Sequence, residues 1–179
     1  METKSGDRYD TSNTSNTVCK AHIFRGRRVH IGHINLSQSF NGAGERFVNL
    51  IESLQQHAIQ QHVLVRNVAL AKRLDLVEGI VVGPIVRTPI TAYCLMPRVD
   101  LVHIHNESCS SAGLLLTLTR SVPFVLTRHE ETEQSMNPIN QAVRNRASGF
   151  VDNDQVTAIE HLLIYRQAVD SLHVPTMLL

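Results

Sequence analysis

The sequence predicts an α/β protein with a mostly parallel, doubly wound sheet flanked by helices. Short apolar runs alternate along the chain with segments in which apolar residues recur every three or four positions. The chain has 179 residues, of which 42% are hydrophobic and 18% charged, and this balance suits one domain with a single core. Because crossovers between successive strands are right-handed, such an alternation places the strands parallel to one another.

The predicted elements begin with a strand at residues 29–36 and a helix at 45–57, in which Phe47, Ile51 and Leu54 share one face. Residues 123–127 are almost continuously apolar, as expected for a strand that is covered on both sides. Further strands are predicted at 62–68, 79–85, 100–105 and, weakly, 149–151, and further helices at 112–119, 139–146 and 155–168.

The chain is predicted to divide into a tail, residues 1–27, and a folded domain, residues 28–179. The tail is rich in Ser, Thr, Asn and charge, and it can bury too little apolar surface to offset the entropy of ordering. We therefore expect it to be disordered. An extended signal at 172–174 is followed by Pro175, which resembles the start of a hinge.

Composition excludes several classes of protein. Lys and Arg total 17 against 16 Asp and Glu, and there is no Trp, so neither a basic surface nor a base-stacking platform for nucleic acid is expected. The three cysteines form no disulfide framework and no C-x-x-C pair, which favours a reducing compartment. No apolar run reaches the roughly 18 residues of a membrane span. We expect a cytoplasmic chain without a transmembrane segment.

In a doubly wound sheet the ligand crevice lies outside the carboxyl ends of the strands. The loop after the first strand leads into a glycine-containing helix start, formed by Gly42, Ala43, Gly44, Glu45 and Arg46. Glycines permit close approach of a ligand, and free amides at a helix N-terminus favour a phosphate or diphosphate. Gly44→Val is then expected to weaken anion binding with little loss of stability. A plain glycine turn is the alternative, and Phe47 stands where a dinucleotide fingerprint needs its third glycine.

The fourth strand carries two histidines on one face, His103 and His105, because alternate strand residues point the same way. His105 lies nearer the crevice and could bond a sugar hydroxyl or a phosphate, whereas His103 is expected to be mainly structural. A metal would need further ligands, such as Cys109 or His129, and no standard zinc spacing is present. No metal is therefore predicted.

The fifth strand ends in Arg128, His129 and Glu130, which are predicted to project into the same crevice as His105. A guanidinium group suits bidentate contact with phosphate. The alternative is a solvated loop, because an acidic run begins at Glu130.

Taken in order, the motifs G-x-x-E-R, D-L-V-H-x-H and P-x-V-x-T-x-H resemble the N-terminal domain of family 4 glycosyltransferases, from about residue 29 to 175. Members of this family are GT-B enzymes in which two Rossmann-like domains face each other across a cleft. The resemblance implies a single Rossmann-like domain here. It also implies transfer of a sugar from a nucleotide-sugar donor to a glycan or lipid-linked acceptor, with retention of configuration and without a metal or cofactor. Bacterial members build cell-surface polysaccharide, which would place the chain at the inner face of the membrane.

By this resemblance His105 and His129 would be catalytic, and substrate would be bound by the glycine-containing helix start together with Arg128 and Glu130. Two departures from the family stand out. Glu130 replaces a usual glycine, and residues 149–154 are polar where the family has an apolar run and a serine. In addition, the family's second domain carries two glutamates with seven residues between them, and this sequence contains no such pair.

Two hypotheses follow. In the first, the chain is the acceptor-side half of a glycosyltransferase and is inactive without the donor-binding half. It is then either a fragment of a longer enzyme or a subunit that a separate donor-binding chain or a second copy completes through the open face of the cleft. In the second, it is a stand-alone, non-catalytic binding or regulatory module derived from that fold. A nicotinamide-dependent dehydrogenase is excluded by the glycine spacing and by Arg66 and Asn67, which stand where an acidic residue would hold the ribose.

Overall fold

The computed structural model describes residues 28–57, 59–128, 138–152 and 158–171. The predicted tail, the extended signal at 172–174, and His129 and Glu130 lie outside these ranges. The strands are β1 Val29–Asn35, β2 Ile59–Val65, β3 Ile80–Val82, β4 Leu101–Ile104, β5 Phe124–Arg128 and β6 Gly149–Asp152. The helices are α1 Gly42–Leu54, α2 Val68–Leu74, α3 Pro89–Leu95, α4 Ser110–Arg120, α5 Pro138–Arg146 and α6 Ala158–Ser171, with a short 3₁₀ turn at Glu107–Cys109 before α4.

The six strands form one parallel sheet in the order β3-β2-β1-β4-β5-β6. The strand order reverses between β1 and β4, and ligands of open α/β sheets bind at this switch point, beyond the carboxyl ends of the strands. The predicted fold class is confirmed. We call the side of the sheet at which the strands end the carboxyl edge.

Each face of the sheet is covered by its own set of helices. On one face, Ile34 and Ile104 pack under α3, α4 and α5. On the other face, Ile31 and Leu101 pack under α6, and Val63 packs under α1 and α2. Since strand residues alternate between faces, His33, His103 and His105 belong to the side that α1 and α6 cover. Within the described ranges no helix is long and apolar enough to cross a bilayer.

Two short helices, α2 and α3, are absent from the predicted elements. The predicted strand 62–68 lies three residues too far along the chain, because Asn67 ends it and caps α2 by accepting a hydrogen bond from the amide of Leu70 at 3.0 Å. Likewise Thr88 caps α3, whose first residue is Pro89. Helix α1 begins at Gly42 instead of the predicted residue 45, so its glycines belong to its first turn.

Candidate functional site

The loop that joins β1 to α1, residues 36–41, lies at the carboxyl edge and is fixed by asparagine side chains. The Oδ1 of Asn35 accepts a hydrogen bond from the amide of Ser37 at 3.0 Å. The amide group of Asn67 donates to the carbonyl of Gln38 at 2.6 Å, which ties this loop to the start of α2. The loop is therefore anchored to two neighbouring elements before any ligand arrives.

The five residues predicted to form the binding turn, Gly42 to Arg46, all lie at the start of α1, but they differ in exposure. Asn41 caps the helix by accepting a hydrogen bond from the amide of Ala43 at 3.1 Å. Gly42, Glu45 and Arg46 are exposed, and a Cβ atom added at Gly42 would meet no atom within 4 Å. The open surface of this turn is thus formed around Gly42.

Gly44 is buried and faces the protein instead of the crevice. A Cβ atom there would lie 2.5 Å from Cδ2 of Phe40 and 2.9 Å from its Cε2, so any larger residue has to displace that ring. The expectation that Gly44→Val would leave stability almost unchanged is therefore wrong, because the glycine is needed for packing of the loop against α1. Gly42 is the appropriate position for testing the turn as an anion site.

His105 directly follows β4 and is mostly buried, with 8% of its surface exposed. Its backbone amide donates to the carbonyl of Ile34 at 3.0 Å, which extends the pairing of β1 with β4 by one residue. Its ring contacts the edge of Phe47 in α1, with 4.3 Å between the ring centroids. The ring therefore lies beneath α1, next to the helix that carries the exposed Gly42 turn. Its catalytic role stays a prediction.

Three buried imidazoles meet under α1 and α6, and we call His33, His103 and His105 the histidine cluster. His33 and His103 are register partners on the neighbouring strands β1 and β4. Ring centroids are 5.9 Å apart for His33 and His103, 5.3 Å for His33 and His105, and 3.8 Å for His103 and His105. The Nδ1 of His33 lies 3.1 Å from the Nε2 of His105.

His103 has a partner at each ring nitrogen. Its Nδ1 lies 2.6 Å from the hydroxyl of Tyr165 in α6, and its Nε2 lies 2.7 Å from the hydroxyl of Thr127 in β5. His161, also in α6, flanks the same ring at a centroid distance of 5.7 Å. This arrangement matches the structural role that the sequence suggests for His103.

Burial determines the protonation states of the cluster. Burial, together with a smaller repulsion by His161, lowers the pKa of His33 from 6.5 to about 3, and the neighbouring Gln61 side chain opposes the shift. Burial also lowers the pKa of His103 well below 6.5, and His105, His33 and His161 add to the effect. Both rings are therefore neutral at neutral pH. Burial raises the pKa of the Tyr165 hydroxyl well above 10, so it remains protonated.

Cys109, which the sequence offers as a further metal ligand, lies in the core at the start of α4. Burial raises the pKa of its thiol to about 12, although hydrogen bonds to nearby backbone groups oppose the shift. Its Sγ contacts the carbonyl of Ile34 and the side chain of Asn106. A neutral thiol with these partners is a packing group and not a nucleophile.

The end of β5 is described in part. Thr127 is buried, and the backbone of Arg128 pairs with Asp152 of β6 as the last residue of the strand. His129 and Glu130 lie outside the described residues. The predicted contributions of Arg128, His129 and Glu130 to the crevice therefore stay predictions.

Sequence reasoning paired His103 with His105 but missed His33 and His161 as their neighbours. His33 could have been found from the sequence, because alternate residues of β1 share a face and pairing of β1 with β4 places His33 on the same face as His103. For His161 no signal exists, since its approach depends on how α6 packs.

Comparison with known proteins gives one informative result. No protein-family model and no curated protein matches the chain. Among solved structures, the crystal structure of the glycosyltransferase GlyE from Streptococcus pneumoniae TIGR4 matches with a TM-score of 0.50 and 15% sequence identity. The match covers 81% of this chain and 33% of that chain, so this chain spans about a third of the length of that protein. The likeness shows a glycosyltransferase-like fold.

Proposed function

We propose that this chain is the acceptor-side half of a glycosyltransferase that transfers a sugar from a nucleotide-sugar to a glycan or lipid-linked acceptor. The fold supports the proposal, because 81% of this chain matches 33% of the chain of a glycosyltransferase. The three ordered motifs that resemble family 4 enzymes support it independently of the fold. One fold can serve many functions, so the residues of the site are needed to identify this one.

The observation that carries the proposal is the position of the α1 N-terminus beside His105 at the switch point of the sheet. The helix begins with an exposed glycine and presents Glu45 and Arg46 to solvent, while Phe47 one residue later contacts the ring of His105. Backbone amides and the positive end of the helix dipole favour an anionic group there, such as the phosphate of a sugar phosphate or of a lipid-linked acceptor.

The proposed roles follow from this placement and from the resemblance. The first turn of α1, from Gly42 to Arg46, binds the acceptor together with Arg128 and Glu130. His105 and His129 act on the reacting groups. Sugar transfer requires both substrates to be held in line with charge stabilised as the donor bond breaks, so the opposite wall of the cleft must bind the nucleotide. A separate donor-binding chain or a second copy supplies that wall, in the cytoplasm at the inner face of the membrane.

The test is calorimetric titration of the full chain with glucose 1-phosphate and, separately, with UDP-glucose, checking each sample for turnover. We expect the sugar phosphate to bind and UDP-glucose to give neither binding nor turnover. Arg46→Gln should weaken sugar-phosphate binding about 10–100-fold, since a hydrogen bond to a charged group contributes about 1.5–3 kcal/mol and each 1.4 kcal/mol is tenfold in affinity. Arg98→Gln is the matched control, because this exposed arginine precedes β4 at the opposite edge of the sheet.

Two outcomes would contradict the proposal. Turnover of UDP-glucose by the chain alone would mean that it contains its own donor site. Equal sugar-phosphate binding by wild type, Arg46→Gln and Arg98→Gln, or no binding to a folded wild type, would remove the acceptor site and favour the non-catalytic binding or regulatory module.

A further inference from the structure

We propose that His33, His103 and His105 form a binding site for one divalent transition-metal ion of the zinc class. One ring nitrogen from each histidine lies within 4.8 Å of the others, and all three residues are buried. Three imidazole ligands suit zinc and its neighbours cobalt, nickel and copper, in contrast to magnesium or calcium. The inference is tested separately from the proposed function, because binding of an ion can be measured without any sugar substrate; with the ion bound, His105 serves as its ligand and does not act directly on the reacting groups.

The strands set the geometry of the site. Pairing of β1 with β4 places His33 directly opposite His103, and strand alternation places His105 on the same face two residues later. Zinc–nitrogen bonds of about 2.0–2.1 Å in a tetrahedral site put two ligand atoms roughly 3.4 Å apart. The Nδ1 of His33 and the Nε2 of His105 are 3.1 Å apart, so this pair needs to separate by only a few tenths of an ångström.

His103 completes the set through its Nε2. The Tyr165 hydroxyl, 2.6 Å from Nδ1, can accept a hydrogen bond from the Nδ1–H group, which leaves the lone pair on Nε2. Binding of the ion requires Nε2 to leave the hydroxyl of Thr127, which it contacts at 2.7 Å. Partners such as Tyr165 fix the tautomer and orientation of metal-ligating histidines in proteins generally.

His33 has an equivalent supporting residue. Among the described residues, the buried Nε2 of His33 and the buried Oε1 of the neighbouring Gln61 make no hydrogen bond of good geometry, although the two side chains are close enough for Gln61 to affect the pKa of His33. The other amide atom of Gln61, Nε2, donates to the carbonyl of Ile51 at 3.0 Å. A small movement lets Gln61 Oε1 accept a hydrogen bond from the Nε2–H of His33, which leaves Nδ1 as the ligand atom. Gln61 thus can hold His33 in the tautomer that a metal ion requires.

Burial supports this site by holding its ligands in the required form, since imidazole binds a metal only when neutral. Burial keeps the pKa of His33 and of His103 below neutral pH. Of the three ligands only His105 has any exposed surface, 8%, so a water molecule that completes the site would have to enter past this residue. Three protein ligands and a water molecule form a common zinc arrangement.

The experiment uses the full chain after treatment with a chelator. Zinc affinity is measured by competition with a chromogenic chelator, and the coordination geometry is followed by the visible absorption of added cobalt(II). We expect one ion per chain and the intense absorption of tetrahedral cobalt. His33→Gln and His105→Gln should each abolish binding of stoichiometric metal, and Tyr165→Phe should weaken zinc affinity about 10–100-fold.

His62→Gln is the matched control. His62 in β2 is the register partner of Gly32 in β1, so it lies on the opposite face of the sheet from the histidine cluster, and its substitution should leave zinc affinity unchanged. Circular dichroism establishes that each variant is folded. Where His33→Gln and His105→Gln do not fold, the cobalt titration of wild type and the zinc affinities of Tyr165→Phe and His62→Gln decide the matter.

The proposal is overturned by three results: no tight binding to wild type, weak octahedral cobalt absorption, or undiminished affinity in the folded cluster variants. Each would leave the three histidines as hydrogen-bonded core residues. None of them bears on the acceptor site, which is tested by sugar-phosphate binding.

Discussion

Mild acid is expected to destabilise the metal-free protein strongly, because two buried histidines must stay neutral for the core to remain intact. His33 and His103 both have pKa values lowered by burial, His33 to about 3. The groups that face them are also histidines, His105 from β4 and His161 from α6. In the unfolded chain, both imidazoles regain an ordinary pKa near 6.5.

The sign follows from proton binding. Below about pH 6.5 the unfolded state takes up protons that the folded state excludes, so the free energy of unfolding falls as the pH falls. The contribution is fully present above the unfolded pKa and is lost progressively until the folded pKa is reached. For two such histidines, lowering the pH from about 7 to about 5 costs about 4 kcal/mol. This is a large part of the roughly 5–15 kcal/mol by which a typical domain is stable.

The assay is urea unfolding followed by far-ultraviolet circular dichroism at about pH 7, 6 and 5, with chelator present and ionic strength fixed. Carboxylates are mostly ionised over this interval, so histidines dominate the change. His33→Gln is the control: it removes one titrating group and should reduce the pH dependence by about half. Equal unfolding free energies for wild type at about pH 7 and 5 would refute the assignment of two neutral histidines in the core.

Two paired substitutions test the packing around the site, each by urea unfolding. Tyr165→Phe leaves the buried Nδ1 of His103 without its hydrogen-bond partner and should lower the free energy of unfolding by about 1–3 kcal/mol. Tyr93→Phe is the control, because the Tyr93 hydroxyl has only a solvent-exposed hydrogen bond with Thr119, and it should change stability by less than about 0.5 kcal/mol. Equal effects of the two substitutions would contradict the hydrogen bond to His103. Gly113→Ala places a methyl group 2.9 Å from the ring of Phe124 and should lower the free energy of unfolding by about 1–3 kcal/mol. Gly42→Ala is the control, because the space around Gly42 is open, and it should raise the free energy of unfolding by about 0.4–1 kcal/mol. An unchanged stability of Gly113→Ala would show that α4 can move away from the sheet.

The fold class could be predicted because apolar strand segments and helical periodicity are both visible in short stretches of sequence, and their alternation is typical of a parallel sheet. Helices α2 and α3 escaped for different reasons. Val68 is apolar and follows β2 after only Arg66 and Asn67, so the predicted strand extends into α2, although Asn67 supplies the capping signal. In α3 only Ala92 is buried, while Ile90 and Leu95 are exposed, so no apolar face reveals the helix. The pair Thr88–Pro89 was the available signal.

The site shows a limit of a different kind. The sequence does not distinguish a glycine that makes room for a ligand from a glycine that makes room for a neighbouring side chain. At Gly44 the neighbour is the ring of Phe40. The histidine cluster depends on the register between β1 and β4, which are about seventy residues apart in sequence, and on the docking of α6. Such tertiary arrangements are set by the sum of packing over both faces, and no short motif encodes them.

The two faces of the sheet make the cluster hard to explain by packing alone. At the carboxyl edge, one face carries Ile34 and Ile104, whereas the other carries the cluster and Thr127 at equivalent positions. Apolar side chains there would fill the same space without the cost of burying polar groups. Hydrogen bonds offset that cost at both nitrogens of His103, but no described partner does so at Nε2 of His33. In the proposed metal site that nitrogen has a defined role, because its N–H would donate a hydrogen bond to Gln61 while Nδ1 binds the ion.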